Sequence, residues 1–308
     1  MSFDVVVIGS GPAGCTASLY TSRANLKTIQ FEGTTPGGQL ITTSIVENFP
    51  GFPDGIDGFE LTERMRSQTK RFGTILVPDI VIGVKNTHNL FTIYTNKGEC
   101  ETKSVIIASG SNAKKLSFTG SESFWHKGIS ACAVCDGALP MFRNKPLVVI
   151  GGGDTAMEEA LWLSKYASQV YIVHRRNEFR ASKIMQKRVF ENSKIKVIWN
   201  SEVVKADGEN FLEYILIREN GNDGRETKLE CNGLFFAIGH TPASSFVNCE
   251  KDENGYIKTG FIYPTGTSIK GIFACGDVQD HRYRQAITAS GSGCQCAMDV
   301  NEFLTQRE

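Results

Sequence analysis

The chain has 308 residues, with 33 Lys and Arg against 33 Asp and Glu, so its formal charge is zero and it carries no basic field for nucleic acid or an anionic membrane surface. Its 41% hydrophobic content and 31 Gly fit two α/β domains with buried cores and many tight turns. Nine irregularly spaced cysteines argue against a secreted disulfide framework, and no run approaches the ~18–20 apolar residues of a spanning helix, so a soluble cytoplasmic protein is expected.

In chain order, Asp4-Val5-Val6-Val7-Ile8 reads as a strand that runs into Gly9-Ser10-Gly11-Pro12-Ala13-Gly14 and a helix from Cys15 to Arg23. A second strand, Thr28 to Phe31, ends at Glu32. In this βαβ setting the first Gly makes the tight turn, the second lets backbone approach a pyrophosphate and the third lets helix pack on strand. The pyrophosphate sits over the helix N-terminus, near Ser10, Gly11, Pro12, Ala13 and Gly14, where unpaired N–H groups and the dipole favour anions. Glu32, 23 residues after Gly9, is placed to accept hydrogen bonds from an adenosine ribose.

Residues 34–58 are rich in Gly, Pro and Thr and read as a functional irregular segment. A helix is expected from Gly58 to Phe72, with Phe59, Leu61, Met65 and Phe72 as inward positions. Strands follow at Phe91–Tyr94 and from Lys103 into the small residues that end at Gly110.

Cys132-Ala133-Val134-Cys135-Asp136-Gly137 then places two cysteines where they can close a small redox disulfide. An ionised Asp136 would oppose thiolate formation, so it is read as a part-buried acid of raised pKa that protonates the leaving thiolate. His240 is a secondary acid–base candidate for which a structural role is expected. Zinc on Cys132 and Cys135 would need a second ligand pair, and none is evident, so no metal is expected. The remaining cysteines read as inert thiols, and Cys294 and Cys296 should face different sides of a helix.

The second half repeats the first. Leu147–Ile150 is a strand, Gly151-Gly152-Gly153-Asp154-Thr155-Ala156 a second fingerprint and Met157–Lys165 a helix. The next strand, Val170–Val173, ends in His174-Arg175-Arg176, with Arg180 beyond. Arg175 stands 24 residues after Gly151, where the first unit has its acid; clustered guanidiniums bind phosphate and so select NADP(H) over NAD(H). Strands at Leu212–Ile217 and Leu229–Gly239 echo the first half. The tail holds a strand, Gly271 to Asp277, and a helical pattern from Tyr283 to Val300 led by Arg284-Gln285-Ala286. Having no fingerprint of its own, it is expected to return to the first unit.

The expected fold is therefore α/β, with two Rossmann-like three-layer nucleotide-binding domains, the second inserted into the first. The boundaries are 1–112 and 244–308 for the first domain and 113–243 for the second.

Gly9–Gly14, Gly37-Gly38-Gln39-Leu40, Glu47–Pro53, Cys132–Gly137, Gly151–Ala160, His174–Ala181, Cys275-Gly276-Asp277 and Tyr283–Ala286 together resemble the low-molecular-weight thioredoxin reductases of bacteria, fungi and lower eukaryotes, nearly end to end. The Cys-x-x-Cys-Asp between two fingerprints is the specific part, since enzymes of the glutathione reductase type carry their pair in the first nucleotide domain. The resemblance implies FAD in the first domain, NADPH in the second, thioredoxin as partner, a homodimer and a large domain rotation during turnover. It also implies FAD contacts from Ser10 to Ala13, Gly38, Gln39, Asn48, Val81, Asp277, Arg284, Gln285 and Ala286, and makes Cys135 the thiol facing the flavin. Ser109, Ser111, Ala243 and Cys296 depart from the usual pattern. A flavin-dependent dithiol oxidase and a nucleotide-sensing module are the competing classes; the Arg cluster argues against the first, and NADPH-driven turnover would exclude the second.

Overall fold

The computed structural model describes residues 2–43, 45–87, 90–221 and 224–306. Strand β1 (Ser2–Ile8) is a β-branched run whose Val5 to Ile8 are all buried, as a strand covered on both faces requires. Helix α1 (Pro12–Arg23), β2 (Thr28–Phe31), α2 (Gly58–Arg71) and β3 (Ile75–Val77) follow. A meander of β4 (Val81–Thr87) and β5 (Leu90–Thr95) then leads into β6 (Gly98–Ile107). Strand β6 has two jobs: its first half pairs antiparallel with β5, and residues along its length pair parallel with β1.

The chain leaves this unit through β7 (Ser111–Ala113). The second unit contains β8 (Ile129–Ser130), α3 (Ala133–Asp136), β9 (Pro146–Gly151), α4 (Asp154–Leu163), β10 (Gln169–Val173), α5 (Lys183–Phe190) and β11 (Ile195–Ile198). A three-stranded antiparallel sheet of β12 (Ser201–Asp207), β13 (Tyr214–Glu219) and β14 (Glu226–Glu230) precedes β15 (Gly233–Ala237). After β16 (His240–Pro242) the chain returns with β17 (Ile272–Ala274) and α6 (Ala286–Thr305).

Within the first unit the parallel order is β3-β2-β1-β6, with β17 pairing β6 parallel; within the second it is β11-β10-β9-β15-β8. The two sheets are the same device, except that the fifth strand comes after the other four in one and before them in the other. Alternate residues of β1 feed opposite faces: Val5 and Val7 pack with α1 and α6 residues such as Ala17 and Val300, Val6 and Ile8 with Ile93 and Ile257. In β9, Leu147 and Val149 likewise pack with Met157, and Val148 and Ile150 with Ile215. Each unit is therefore three-layered about its own sheet.

The compact units are Met1–Asn112 with Thr241–Glu308, and Ala113–His240. The second crossing falls three residues before the sequence-based boundary, because the Ala243 N–H donates to Gly110 O (2.9 Å) and the Ser109 hydroxyl donates to Ala243 O (2.6 Å).

Four element readings change. On α2 the buried face runs Gly58, Leu61, Thr62 and Thr69, so Phe59, one position off that line, is 56% exposed. Phe72 ends α2 at 38% exposure, with the Arg23 and Arg71 guanidiniums near its ring. The segment Leu229–Gly239 splits between β14 and β15. The last helix starts at Ala286, because Arg284 adopts a left-handed φ of 47° and Gln285 forms a reciprocal capping box with Thr288.

Candidate active site

The first fingerprint is held by one hydroxyl. Ser10 Oγ donates to Glu32 O (3.0 Å) and accepts from the Gly37 N–H (3.0 Å), joining the β1–α1 turn, the end of β2 and the following loop. The Ser10 hydroxyl is thus spent inside the protein, and its carbonyl accepts from the Cys15 thiol (3.2 Å). A Cβ on Gly9 would lie 2.2 Å from Ala108 O, and one on Gly14 2.1 Å from Gly9 O, so internal packing alone demands both glycines. Gly11 differs: the nearest atom to its Cβ position is Gly37 O at 4.0 Å. It is the N-cap of α1, with no side-chain cap and with Pro12 in the first turn.

The second fingerprint repeats this pattern. A Cβ on Gly151 would meet Ala237 O at 2.5 Å and one on Gly152 the His174 ring at 2.2 Å, whereas Gly153 has nothing within 4 Å and N-caps α4 without a side-chain bond. Ala156 fills the third position, fully buried, and Thr155 sits half-buried in the first turn. In both units, then, the middle glycine opens onto space beside uncapped N–H groups, the geometry a pyrophosphate needs.

Glu32 is buried, and its carboxylate accepts from Arg66 Nε (2.6 Å) and Nη2 (3.1 Å). Arg66 also pairs with Glu63. The sequence reading missed Arg66, which stands 34 positions away on α2. A carboxylate has about four lone-pair sites, so the pairing leaves capacity for ribose hydroxyls.

Of the other candidates in this unit, Gln39 Nε2 donates to Ser111 O, and Asn48 Nδ2 donates to Gln285 Oε1 (3.1 Å). Gly38 has a left-handed φ of 68° and lies against Gly11. Val81 points its side chain into the core, so only its backbone can serve a ligand. Asp277 lies in the short helical turn after β17; burial, reinforced by Asp280 and opposed by Arg284, pushes its carboxyl up to about 6. Ala286 opens α6, directly after Arg284 and Gln285.

In the second unit Cys132 and Cys135 form a disulfide with their Cα atoms 5.3 Å apart. Cys132 N-caps α3, its sulfur accepting from the Cys135 N–H (3.2 Å). The Ser130 hydroxyl accepts from the Cys132 N–H (3.1 Å) and donates to Asp136 Oδ2 (2.5 Å). Burial raises the Asp136 carboxyl above the usual range, while the Ser130 bond and the charge of His126 oppose the rise. His126 was not among the sequence candidates, and His240 begins β16 at the edge of this unit.

Arg175, Arg176 and Arg180 are exposed, and among the described residues none pairs with a carboxylate. Their backbone is fixed: the Arg180 N–H donates to Gly152 O (2.8 Å), Asn220 Nδ2 to Arg175 O (3.0 Å) and the Asn200 N–H to Arg176 O (3.2 Å). Asp154 Oδ1 accepts from both the Ser182 N–H and hydroxyl (2.8 Å each), so this candidate ligand contact ties the fingerprint to α5 instead. His174 is also a shaping residue: its ring fills the space under Gly152 and its Nε2 lies 2.9 Å from Glu178 O. Desolvation holds His174 below the ordinary histidine range.

Seven cysteines are free, and burial pushes Cys15 and Cys231 up to about 12 and raises Cys100, Cys249 and Cys296, which fits unreactive thiols. Among the described residues no group of His, Cys, Asp and Glu is arranged to hold a metal, and no helix is long and apolar enough to cross a membrane.

A Cys-x-x-Cys disulfide in a chain with two glycine-rich strand–helix turns defines a class. The chain belongs to the pyridine nucleotide-disulphide oxidoreductase family, whose profile matches residues 3–293. Within it the matches are to thioredoxin reductases. The chain is 53% identical over 315 residues to Thioredoxin reductase 2 of Arabidopsis thaliana, covering 98% of this chain and 82% of that one. It is 49% identical to Thioredoxin reductase 1 of Saccharomyces cerevisiae, covering 99% and 98%. The solved thioredoxin reductase from Giardia duodenalis shares 40% identity and a TM-score of 0.93 over 99% of each chain. These relationships put the chain with the low-molecular-weight thioredoxin reductases, as a pyridine-nucleotide-dependent disulfide reductase.

Proposed function

We propose that this chain uses NADPH and FAD to reduce its own Cys132–Cys135 disulfide and, with the resulting dithiol, the disulfide of thioredoxin. The observation that carries this reading is the coupling of the disulfide to a part-buried acid through Ser130, in a unit whose open Gly153 and whose Arg175, Arg176 and Arg180, without a carboxylate partner among the described residues, suit a phosphorylated dinucleotide. When bound, the two cofactors supply hydride delivery and a two-electron relay to a disulfide.

In the first unit Gly11 and the α1 N-terminus bind the FAD pyrophosphate, and Glu32, aligned by Arg66, takes the ribose hydroxyls. Gln39, Asn48, Asp277 and Arg284 to Ala286 line the rest of that site. In the second unit Gly153 and the α4 N-terminus bind the NADPH pyrophosphate, and the arginines take the 2′-phosphate through charge-assisted bonds. Following the family resemblance, Cys135 faces the flavin and the Cys132 thiolate attacks thioredoxin. A mixed disulfide forms, and Cys135 resolves it, so two electrons enter and two leave per cycle. Asp136 gives its proton to the thioredoxin thiolate that leaves when the mixed disulfide forms and is reprotonated from solvent, while Cys135 passes its thiol proton to the second thioredoxin sulfur as it resolves the mixed disulfide, so one proton is taken up per turnover.

Anaerobic titration with NADPH should bleach the flavin absorbance, which should return on adding oxidised thioredoxin. Bleaching that reverses only in air would replace this reading with a dithiol oxidase or a reductase of another protein. The proposal includes a homodimer and a cytoplasmic location; a monomer by sedimentation would remove the first, and recovery in another fraction the second.

A further inference from the structure

The segment from His174 to Ser182, between β10 and α5, carries the three arginines of the second unit. Three successive carbonyls at its start are each met by a donor. The Ser201 N–H donates to His174 O (3.0 Å) and the Asn200 N–H to Arg176 O (3.2 Å), both from the chain entering β12. Arg175 O, between them, is met by a side chain, the Asn220 carboxamide, through Nδ2 (3.0 Å). Farther along, Phe179 is buried with its ring 4.4 Å from that of Trp199, and the Arg180 and Ala181 N–H groups donate to Gly152 O (2.8 and 3.1 Å). Arg176 and Arg180 are thus held by backbone bonds, and Arg175 by one exposed carboxamide.

Asn220 is itself fixed by the sheet beside it. It follows Glu219, the last residue of β13, which pairs with Ser201 of β12, and its own N–H donates to Asn200 O (2.6 Å). Asn200, left-handed at a φ of 50°, therefore accepts from Asn220 at its carbonyl while its N–H serves Arg176. The end of the β12–β13 ladder sets where the carboxamide stands, and the carboxamide sets where the Arg175 backbone stands. A long cationic side chain on a loose backbone loses more freedom on closing around a phosphate than one on a fixed backbone. An anchor on the Arg175 carbonyl therefore acts on phosphate affinity without touching the phosphate.

Resting on the reading that Arg175 binds the 2′-phosphate of NADPH, we propose that Asn220 is a positioning residue for coenzyme choice. By holding the Arg175 backbone it strengthens binding of NADPH and leaves alone the part of the dinucleotide that NADH shares. The determinant of specificity thus reaches 45 positions beyond the arginine, to the turn after β13.

The test is calorimetric titration of the FAD-loaded enzyme with NADP+ and with NAD+, for wild type, Asn220→Ala, Arg175→Ala and the double variant. Asn220 is exposed, and its backbone bond to Asn200 survives the substitution, so Asn220→Ala should fold with an unchanged melting temperature. It should bind NADP+ about threefold to tenfold more weakly, the ordering cost of one long side chain, and NAD+ as wild type does. In the Arg175→Ala background the same substitution should add nothing, since its effect runs through that arginine. A general loosening of the unit would instead weaken both coenzymes and persist in that background, and either result would overturn the proposal. So would NADP+ affinity that Asn220→Ala leaves unchanged. If wild type itself binds the two coenzymes equally, the phosphate role of the arginines fails first, and this proposal falls with it.

Discussion

At the scale of single residues, the informative contrast is between glycines that the protein needs and glycines that it does not. Gly14→Ala forces a methyl against Gly9 O, a backbone atom 2.1 Å away, and should destabilise the fold by about 1–3 kcal/mol in a urea melt. Gly153→Ala meets nothing within 4 Å and should change stability by about 1 kcal/mol or less, the effect of Ala at an N-cap, while weakening NADPH binding at least tenfold by titration. Nucleotide affinity that survives Gly153→Ala would remove the cradle argument. Asp277 supplies a pH signature: its carboxyl, raised to about 6, binds a proton in the folded apoprotein more readily than in the unfolded chain. Its contribution is therefore present at about pH 4 and below, and it is lost as pH rises through 6, by about 3 kcal/mol at most. Apoprotein Asp277→Asn should lose this slope between pH 4 and 6 in thermal melts, and an unchanged slope would show that Asp277 ionises freely. What the sequence reveals at this scale is whatever is local. Both fingerprints and the cysteine pair are written in consecutive letters, whereas Arg66 matters through a partner 34 positions away that only the folded chain brings near.

At the scale of elements, strands are easier to read than helix faces. The Val5–Ile8 and Leu147–Ile150 runs can satisfy only a sheet buried on both sides, and they form β1 and β9. The α2 pattern is looser, since its stripe includes Gly58, Thr62 and Thr69, polar or small residues that a search for apolar letters passes over in favour of Phe59 and Phe72. The loop after β10 was legible for a different reason, its displaced charge. Its backbone is anchored at Arg175, Arg176 and Arg180, so the guanidiniums are presented without deforming the unit. Arg175→Ala with Arg176→Ala should weaken NADPH about 10- to 100-fold, from charge-assisted bonds of ~1.5–3 kcal/mol, with little effect on NADH. An equal loss for both nucleotides in steady-state KM would refute a 2′-phosphate role.

At the scale of the whole molecule, the two sheets have one strand order but draw their fifth strand from opposite ends of the segment. The repeat was visible in the sequence as two fingerprints with matching exit strands. The origin of β17 was inferred only from the tail's lack of a fingerprint, since Ile272–Ala274 is too short to announce its partner. All five parallel strands of the second unit lie within residues 113–240, so that fragment should fold alone, with dispersed amide NMR signals and a closed disulfide. Residues 1–112 lack both β17 and α6 and should not. A folded 1–112 fragment would mean that the returning segment is dispensable to the first core.

The late arrival of β17 also sets an order of events on the ribosome. Roughly 35 residues separate the end of β15 from the start of β17, a few seconds of translation at typical speeds. During that interval the redox unit can complete its core, while β6 of the first unit presents Val105 to Ile107 with one edge unpaired and its α6 cover still missing. The nascent chain thus has a timed window of exposed apolar edge, where a chaperone, or an early supply of flavin, would exert its influence on yield.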